Sequence, residues 1–273
     1  MKHKAKKSLG QHFLRSERAL REIIEAAALS QDDVVLEIGP GEGVLTAALL
    51  QHAGRVIAIE KDEELFAHLS ERFAVEITSG KLELISGDVL AFSPVDYNLK
   101  PNTYKLVANI PYNITGAIFE QFLSSSAQPS IMVVLIQKEV AERIVVRDGK
   151  QSILSIAIAV YGTSRIVSRV PRGAFAPAPA VDSAILAIED ISRKNFKTPE
   201  EESNFFKLLR AGFAHKRKLL IRNLEVVVSR DILLKSFEIC GISPSVRAET
   251  LSVSEWTLLN QTVFAQRSVD GTN

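Results

Sequence analysis

The sequence predicts an α/β protein with a small all-α domain at its C-terminal end. Three observations predict it. Apolar, β-branched runs alternate with helix-period segments through the first two thirds of the chain. The stretch Val34–Gly43, VVLEIGPGEG, carries a buried strand straight into Gly39, Gly41 and Gly43, and Val44–His52 continues as a helix. That strand, glycine turn and helix open a nucleotide-binding βαβ unit. Finally, Asp190–Glu202 is polar and loses the apolar pattern, and the remainder reads as helices. The expected architecture is a Rossmann-like, doubly wound sheet with helices on both faces over residues 1–190, and a helical domain over 191–273.

Composition narrows the function classes. A hydrophobic content of 46% and a charged content of 24% belong to a globular protein with a real core. No apolar run approaches the length that spans a bilayer, and the basic N-terminal stretch lacks the apolar segment of a signal peptide, so a cytoplasmic protein is expected. The single cysteine, Cys240, excludes an intramolecular disulfide and a cysteine-based zinc cluster, and no metal is expected. The net charge of +1 hides an asymmetry. Residues 1–21 and 205–230 each carry seven basic side chains against one acid, so the rest of the chain is acidic. Two basic patches on an acidic body suit a polyanion held at defined places; the alternative is a pair of solvated faces.

Taken in order, residues 1–15 form a basic stretch that turns apolar at Phe13 and Leu14. It is either a frayed terminus or an arm that covers a ligand while Lys4, Lys6 and Lys7 meet phosphate. Ser16–Leu29 is a helix with Ser16 as N-cap. In the glycine turn the main chain can meet a ligand directly at Gly39 and Gly41, where no Cβ intervenes. The dinucleotide fingerprint requires a sixth-position glycine, where this chain has Val44. G-x-G-x-G preceded by Glu37 is instead similar to the first motif of S-adenosylmethionine (SAM)-dependent methyltransferases.

The strand Arg55–Glu60 ends in an acid 21 residues after Gly39, placed to accept from both ribose hydroxyls of a nucleoside. Asp62–Phe73 is a helix and Leu82–Ser86 a strand. Asp88 after it can accept from an adenine amine, or is an ordinary turn aspartate. Tyr104–Asn109 is the fourth strand, and Asn109-Ile110-Pro111-Tyr112 is the most chemically specific stretch. The lone pair of an exocyclic adenine amine is delocalised into its ring. An asparagine oxygen and a neighbouring main-chain carbonyl that each accept one N–H draw the nitrogen toward tetrahedral geometry and aim its lone pair at a methyl donor. Pro111 fixes the turn and biases Ile110 to extended backbone, and Tyr112 offers a ring on which a flipped base stacks.

Ile131–Gln137 is a buried strand, Glu139–Val146 a helix, and Gln151–Tyr161 a helix suited to packing on the sheet. The strands Ile166–Val170 and Ala184–Ile188 flank a rigid proline loop, on which Phe175 either clamps a base opposite Tyr112 or joins the core. Beyond the boundary, helices are expected at Phe205–Phe213, at His215–Asn223 with Lys216, Arg217, Lys218 and Arg222, at Asp231–Gly241, and at Ser254–Phe264 with Trp256, Leu259 and Val263 inward.

Together KSLGQHFL (7–14), EIGPGEGVLT (37–46), IEKD (59–62), GDVL (87–90), NIPYNIT (109–115), FAPAPAVDSAIL (175–186), FAHKRKLLIRNL (213–224) and RAETLS (247–252) resemble the small-subunit (16S) rRNA adenine dimethyltransferases, the kasugamycin-resistance family. The resemblance covers nearly the whole chain. It implies that His12 and Leu14 lie against SAM, with Gly39 at its methionine part, Glu60 at the ribose, Asp88 at the adenine and Asn109 at the transfer site. Many relatives have asparagine at the position of His12. The family dimethylates the exocyclic amines of two adjacent adenosines in a hairpin loop near the 3′ end of small-subunit rRNA. The implied partners are the small subunit and its rRNA, bound by a monomer, with no DNA and no membrane. Two other readings stay open. One is the related large-subunit enzyme, which shares the catalytic motifs but not FAHKRKLLIRNL or RAETLS. The other is a non-catalytic assembly or transcription factor, against which the intact Glu60, Asp88 and Asn109–Tyr112 speak.

Overall fold

A computed structural model describes residues 6, 10–146 and 149–269, with side chains as far as residue 266. The chain divides into two compact units, Met1–Glu142 with Thr163–Ile191, and Arg143–Gly162 with Ser192–Asn273.

The first unit is built on seven strands: β2 (Val34–Ile38), β3 (Arg55–Glu60), β4 (Leu82–Ser86), β5 (Tyr104–Asn109), β6 (Ile131–Gln137), β7 (Thr163–Val170) and β9 (Ser183–Glu189). Their spatial order is β4-β3-β2-β5-β6-β9-β7. The first five are parallel, and β9 runs antiparallel between β6 and β7. Two short strands, β1 (Phe13–Leu14) and β8 (Phe175–Ala176), pair separately, Phe13 with Ala176 and Leu14 with Phe175. The central strands read as continuous Val, Ile and Leu because both their faces are covered; Val35, Leu36, Leu106 and Val107 are fully buried.

Local chemistry sets the helix ends. Ser16 caps α1 (Glu17–Ala27) by accepting from the Ala19 N–H. Asp62 caps α3 (Glu63–Arg72) by accepting from the Glu64 N–H. The helix α2 (Val44–His52) starts from Gly43, whose φ of +77° a side chain rarely tolerates. Because β2 to β6 are parallel, the chain leaves Ile38, Glu60, Ser86 and Asn109 at one edge of the sheet. The order turns back between β2 and β5, which opens a crevice there.

After α4 (Ala74–Thr78), α5 (Thr115–Leu123) and α6 (Lys138–Ile144), the second unit's α8 (Pro199–Gly212), α9 (Leu220–Leu224), α10 (Arg230–Ile239) and α11 (Val253–Val269) bury Phe205, Leu209, Leu224, Phe237, Trp256 and Leu259. Two features differ from the linear reading. The apolar helix expected on the sheet is α7 (Ile153–Ala159), and it groups with these helices. The Tyr161 hydroxyl donates to the Glu202 carboxylate, and the Gln151 N–H to the Glu249 carbonyl, which ties both its ends to the helical unit. The basic residues Lys216, Arg217 and Lys218 lie on an exposed turn rather than a helix. The Asn223 amide ends α8 there, donating to the carbonyls of Gly212 (2.6 Å) and His215 (3.1 Å). Among the described residues no helix is long and apolar enough to cross a membrane.

A Cβ at Gly43 would sit 2.6 Å from the Phe73 ring and 2.8 Å from Leu69. Strain from the left-handed backbone and this crowding add, so Gly43→Ala is expected to destabilise the protein by about 2 kcal/mol or more, read from urea unfolding.

Candidate functional site

The crevice is floored by the glycine turn. Gly39 (φ +64°) has nothing within 4 Å of the place a Cβ would occupy, so its main chain faces open space. A Cβ at Gly41 would meet the Phe13 ring at 3.0 Å, so the arm packs on the turn because a glycine stands there. The Gly41 N–H donates to Glu60 Oε2 (3.0 Å) and the Asp62 N–H to Oε1 (2.8 Å). Glu60 is 5% exposed. Burial raises its pKa above the usual carboxylate value, and these two hydrogen bonds offset only part of that. Each oxygen keeps a second lone pair with which to accept a hydroxyl.

Asp88 follows β4 and caps a short turn, its Oδ1 accepting from the Leu90 N–H (3.0 Å). Its Oδ2 meets Lys61 Nζ at 2.7 Å, and that ammonium holds the carboxyl below its ordinary pKa. The residue is thus both a turn aspartate and part of the cavity wall.

Asn109 ends β5. Its amide nitrogen donates to the main-chain carbonyl of His12 (2.9 Å). A carbonyl only accepts, so this bond assigns the amide's orientation and leaves Oδ1 as the acceptor. The Ile110 N–H donates to the Leu135 carbonyl, and Pro111 holds extended backbone at φ −56° and ψ 130°. Tyr112 shares a hydrogen bond of 2.7 Å with the Ser183 hydroxyl, and burial raises its pKa.

The arm closes the wall. Lys6 Nζ and Gln11 Nε2 donate to the two oxygens of Asp62 at 2.8 and 2.9 Å. Burial alone would raise the Asp62 pKa; these donors outweigh it and hold the carboxyl low. Arg15 reaches Glu42 at 2.5 Å, and its N–H donates to the Ala174 carbonyl. The described part of the arm is therefore docked along the crevice rather than frayed.

One cavity gathers His12, Leu14, Gly39, Gly41, Glu60, Asp88 and Asn109, and with them Ile110, Pro111 and Tyr112. Phe175 is not among them. It is 5% exposed and packs in the core with Leu14 and Val170, because the β1–β8 pairing turns it inward. Lys6, expected to meet phosphate, has its ammonium on Asp62 and Glu64. Lys4 and Lys7 lie outside the described residues. Lys216, Arg217 and Lys218 are exposed, and Arg222 pairs with Glu225 at 3.3 Å.

Sequence reasoning missed Gln11 and Asp62 as the arm's anchor, Ser183 and Pro177 as partners of the site's rings, and the burial of Glu37, which it named only as the acid ahead of the glycines. The one signal for Glu37 was an acid inside an otherwise apolar strand. Its carboxyl is fully buried beneath the turn; burial, with the charge of Glu60 adding, pushes its pKa up to about 8. The nearby Thr46 hydroxyl offsets part of this rise, and Glu37 Oε2 stays unpartnered.

With this geometry in hand, comparison with known proteins is informative. The family model described as ribosomal RNA adenine dimethylase matches residues 2–263. A protein of Dehalococcoides mccartyi named ribosomal RNA small subunit methyltransferase A is 44% identical, across 94% of this chain and 87% of its own. A protein of Nostoc punctiforme with the same name is 39% identical across 93% of each chain. Among solved structures, a dimethyladenosine transferase from Plasmodium falciparum superposes with a TM-score of 0.78 at 26% identity, covering 95% of this chain and 98% of that one. The 23S rRNA methyltransferase ErmE superposes with a TM-score of 0.73 at 25% identity, covering 92% of this chain and 99% of that one.

The Glu37 carboxyl is expected to make stability fall as pH rises. It ionises near its ordinary 4.5 when unfolded and near 8 when folded, so between those values the folded state binds the extra proton. Glu37→Gln should therefore melt progressively higher relative to the parent as pH rises through this window and level off above it, measured by thermal unfolding without added cofactor.

Proposed function

This chain belongs to the ribosomal RNA adenine dimethylase family, and from that premise we propose that it transfers methyl groups from SAM to the exocyclic amines of two adjacent adenosines near the 3′ end of small-subunit rRNA. When bound, SAM supplies an electrophilic methyl group. The residues of the cavity fit it. The open main chain at Gly39 suits its methionine part, Glu60 its ribose hydroxyls and Asp88 its adenine amine, with Gly41, His12 and Leu14 on the wall beside it.

The observation that carries the reading is the Asn109 amide. The His12 carbonyl accepts from its nitrogen, which leaves the oxygen as an acceptor on a residue that lines the same cavity as Glu60 and Asp88. A target amine held by that oxygen and a neighbouring main-chain carbonyl has its lone pair freed and aimed. Tyr112 supports the base, its hydroxyl held by Ser183. The amine loses its proton after transfer, so no strong base has to stand beside it.

The fold does not select the substrate, since a 23S rRNA enzyme shares it at a TM-score of 0.73. The small-subunit reading rests on relatives at 44% and 39% identity along nearly the whole chain. We assign RNA contact to Lys216, Arg217 and Lys218, with Arg222 beside them, and expect a cytoplasmic monomer that acts during small-subunit biogenesis.

Asn109→Ala should keep SAM affinity near that of the parent and lower kcat about 10²–10³-fold; it is checked by calorimetry together with label transfer to small subunits lacking the mark. Undiminished turnover would remove Asn109 from the chemistry, and label mapped to large subunits would replace the substrate. Replacing Lys216, Arg217 and Lys218 with glutamate should weaken subunit binding and flatten its salt dependence by roughly 3 in the log–log slope if all three meet phosphate. An unchanged slope would make the turn a solvated surface.

A further inference from the structure

Gln121 lies on α5, the helix that leaves the Asn109–Tyr112 turn. Its Nε2 donates to two main-chain carbonyls at once, those of Val89 (2.7 Å) and Phe92 (2.8 Å). Carbonyls only accept, so this pair of bonds assigns the amide's orientation. Its Oε1 is buried and has no hydrogen-bond partner among the described residues, so the side chain acts as a double donor only. What it holds is the turn that follows Asp88. Val89–Ala91 is a single 3₁₀ turn, and so short a turn is marginal on its own. Asp88 Oδ1 accepts from the Leu90 N–H at 3.0 Å, so the position of the carboxylate follows the main chain of the turn. Asp88, Val89 and Leu90 line the cavity, and Gln121 stands behind them.

The helix is itself fixed. Ile118, Phe119, Phe122 and Leu123 are buried, and the Thr115 hydroxyl donates to the Tyr112 carbonyl at 3.2 Å. One rigid helix thus carries the Asn109–Tyr112 turn at its start and grips the Asp88 turn less than two helical turns later. We propose that Gln121 is a positioning residue for the cofactor's base: it braces the Asp88 carboxylate for the adenine amine and ties that end of the site to the helix that follows Asn109. The inference rests on the placement of the adenine at Asp88 in the function proposed above. A loosened turn still offers a carboxylate, but one spread over several positions. An amine gains less from it, and an oxo group in the amine's place is repelled less. Loss of the brace therefore shows as lost discrimination between the two groups.

The probes are S-adenosylhomocysteine and S-inosylhomocysteine, which carry an amine and an oxo group respectively at the position that faces Asp88. Binding is measured by calorimetry, with melting temperatures alongside. The parent should prefer the adenosyl compound by at least about tenfold. Gln121→Met, of similar length but without the donor, should lower affinity for the adenosyl compound about tenfold and move that for the inosyl compound by less than about twofold. In an Asp88→Ala background the same substitution should change neither affinity by more than about twofold. A preference unchanged in Gln121→Met, whether both affinities hold or both fall together, overturns the proposal, and so does a loss of preference that persists without the Asp88 carboxylate. If Gln121→Met does not fold, Gln121→Asn, which keeps the amide but falls one methylene short of the turn, carries the same comparison. A parent that binds both compounds equally would instead remove the adenine amine from Asp88, the premise of the inference. A parent that binds neither would overturn the proposed function.

Discussion

The cavity depends on one buried carboxylate. Glu60 accepts the Gly41 N–H on one oxygen and the Asp62 N–H on the other. The first bond pins the glycine turn to the end of β3. The second fixes the start of α3, and with it the Asp62 side chain that Lys6 and Gln11 hold. Turn, strand, helix and arm are thus joined through a single side chain in a region that water barely reaches. Each of those main-chain donors, left unpaired and buried, would cost on the order of 1–3 kcal/mol. Glu60 therefore shapes the cavity from within, besides facing whatever fills it.

Much of this arrangement could be read from the chain, because it depends on local rules. The parallel strands β2, β3, β4, β5 and β6 have the bounds that their apolar runs imply, and the caps at Ser16 and Asp62 and the start of α2 follow from side-chain chemistry and a glycine. The cavity residues could be read as well, since parallel strands deliver their last residues to one edge wherever they sit in the sequence. What escaped depends on long-range partners. Phe175 belongs to the core because Leu14 pairs with it. Lys6 serves the protein because Asp62 lies across from it. The basic turn is not helical because Asn223, farther along, draws off the carbonyls that would continue α8. Nothing local in Gln151–Tyr161 distinguishes a helix that covers the sheet from one that joins α8.

The division of labour between fold and sequence is clear at this site. On the proposed function the sheet and its glycine turn position the methyl donor, and a 23S rRNA methyltransferase shares the fold at a TM-score of 0.73. On the same reading, choice of the target falls to what surrounds the edge within the sheet unit: the Asn109–Tyr112 turn, the arm and the proline segment that precedes β9. These are loops carried on a rigid frame, where substrate preference can change without repacking the core.

The pairing of β1 with β8 has a consequence for the order of events during synthesis. The arm leaves the ribosome first, yet the Pro177 carbonyl that receives His12 lies 165 residues later. A nascent chain long enough to contain the glycine turn, Glu60, Asp88 and Asn109 already holds Asp62 and Glu42, which anchor the arm, but lacks the strand β8 and the Pro177 carbonyl that complete its seat. Strand contacts between such distant segments form late. The Asn109 amide is oriented by that same arm, so a truncated product would hold the amide by an arm that has not yet paired with β8.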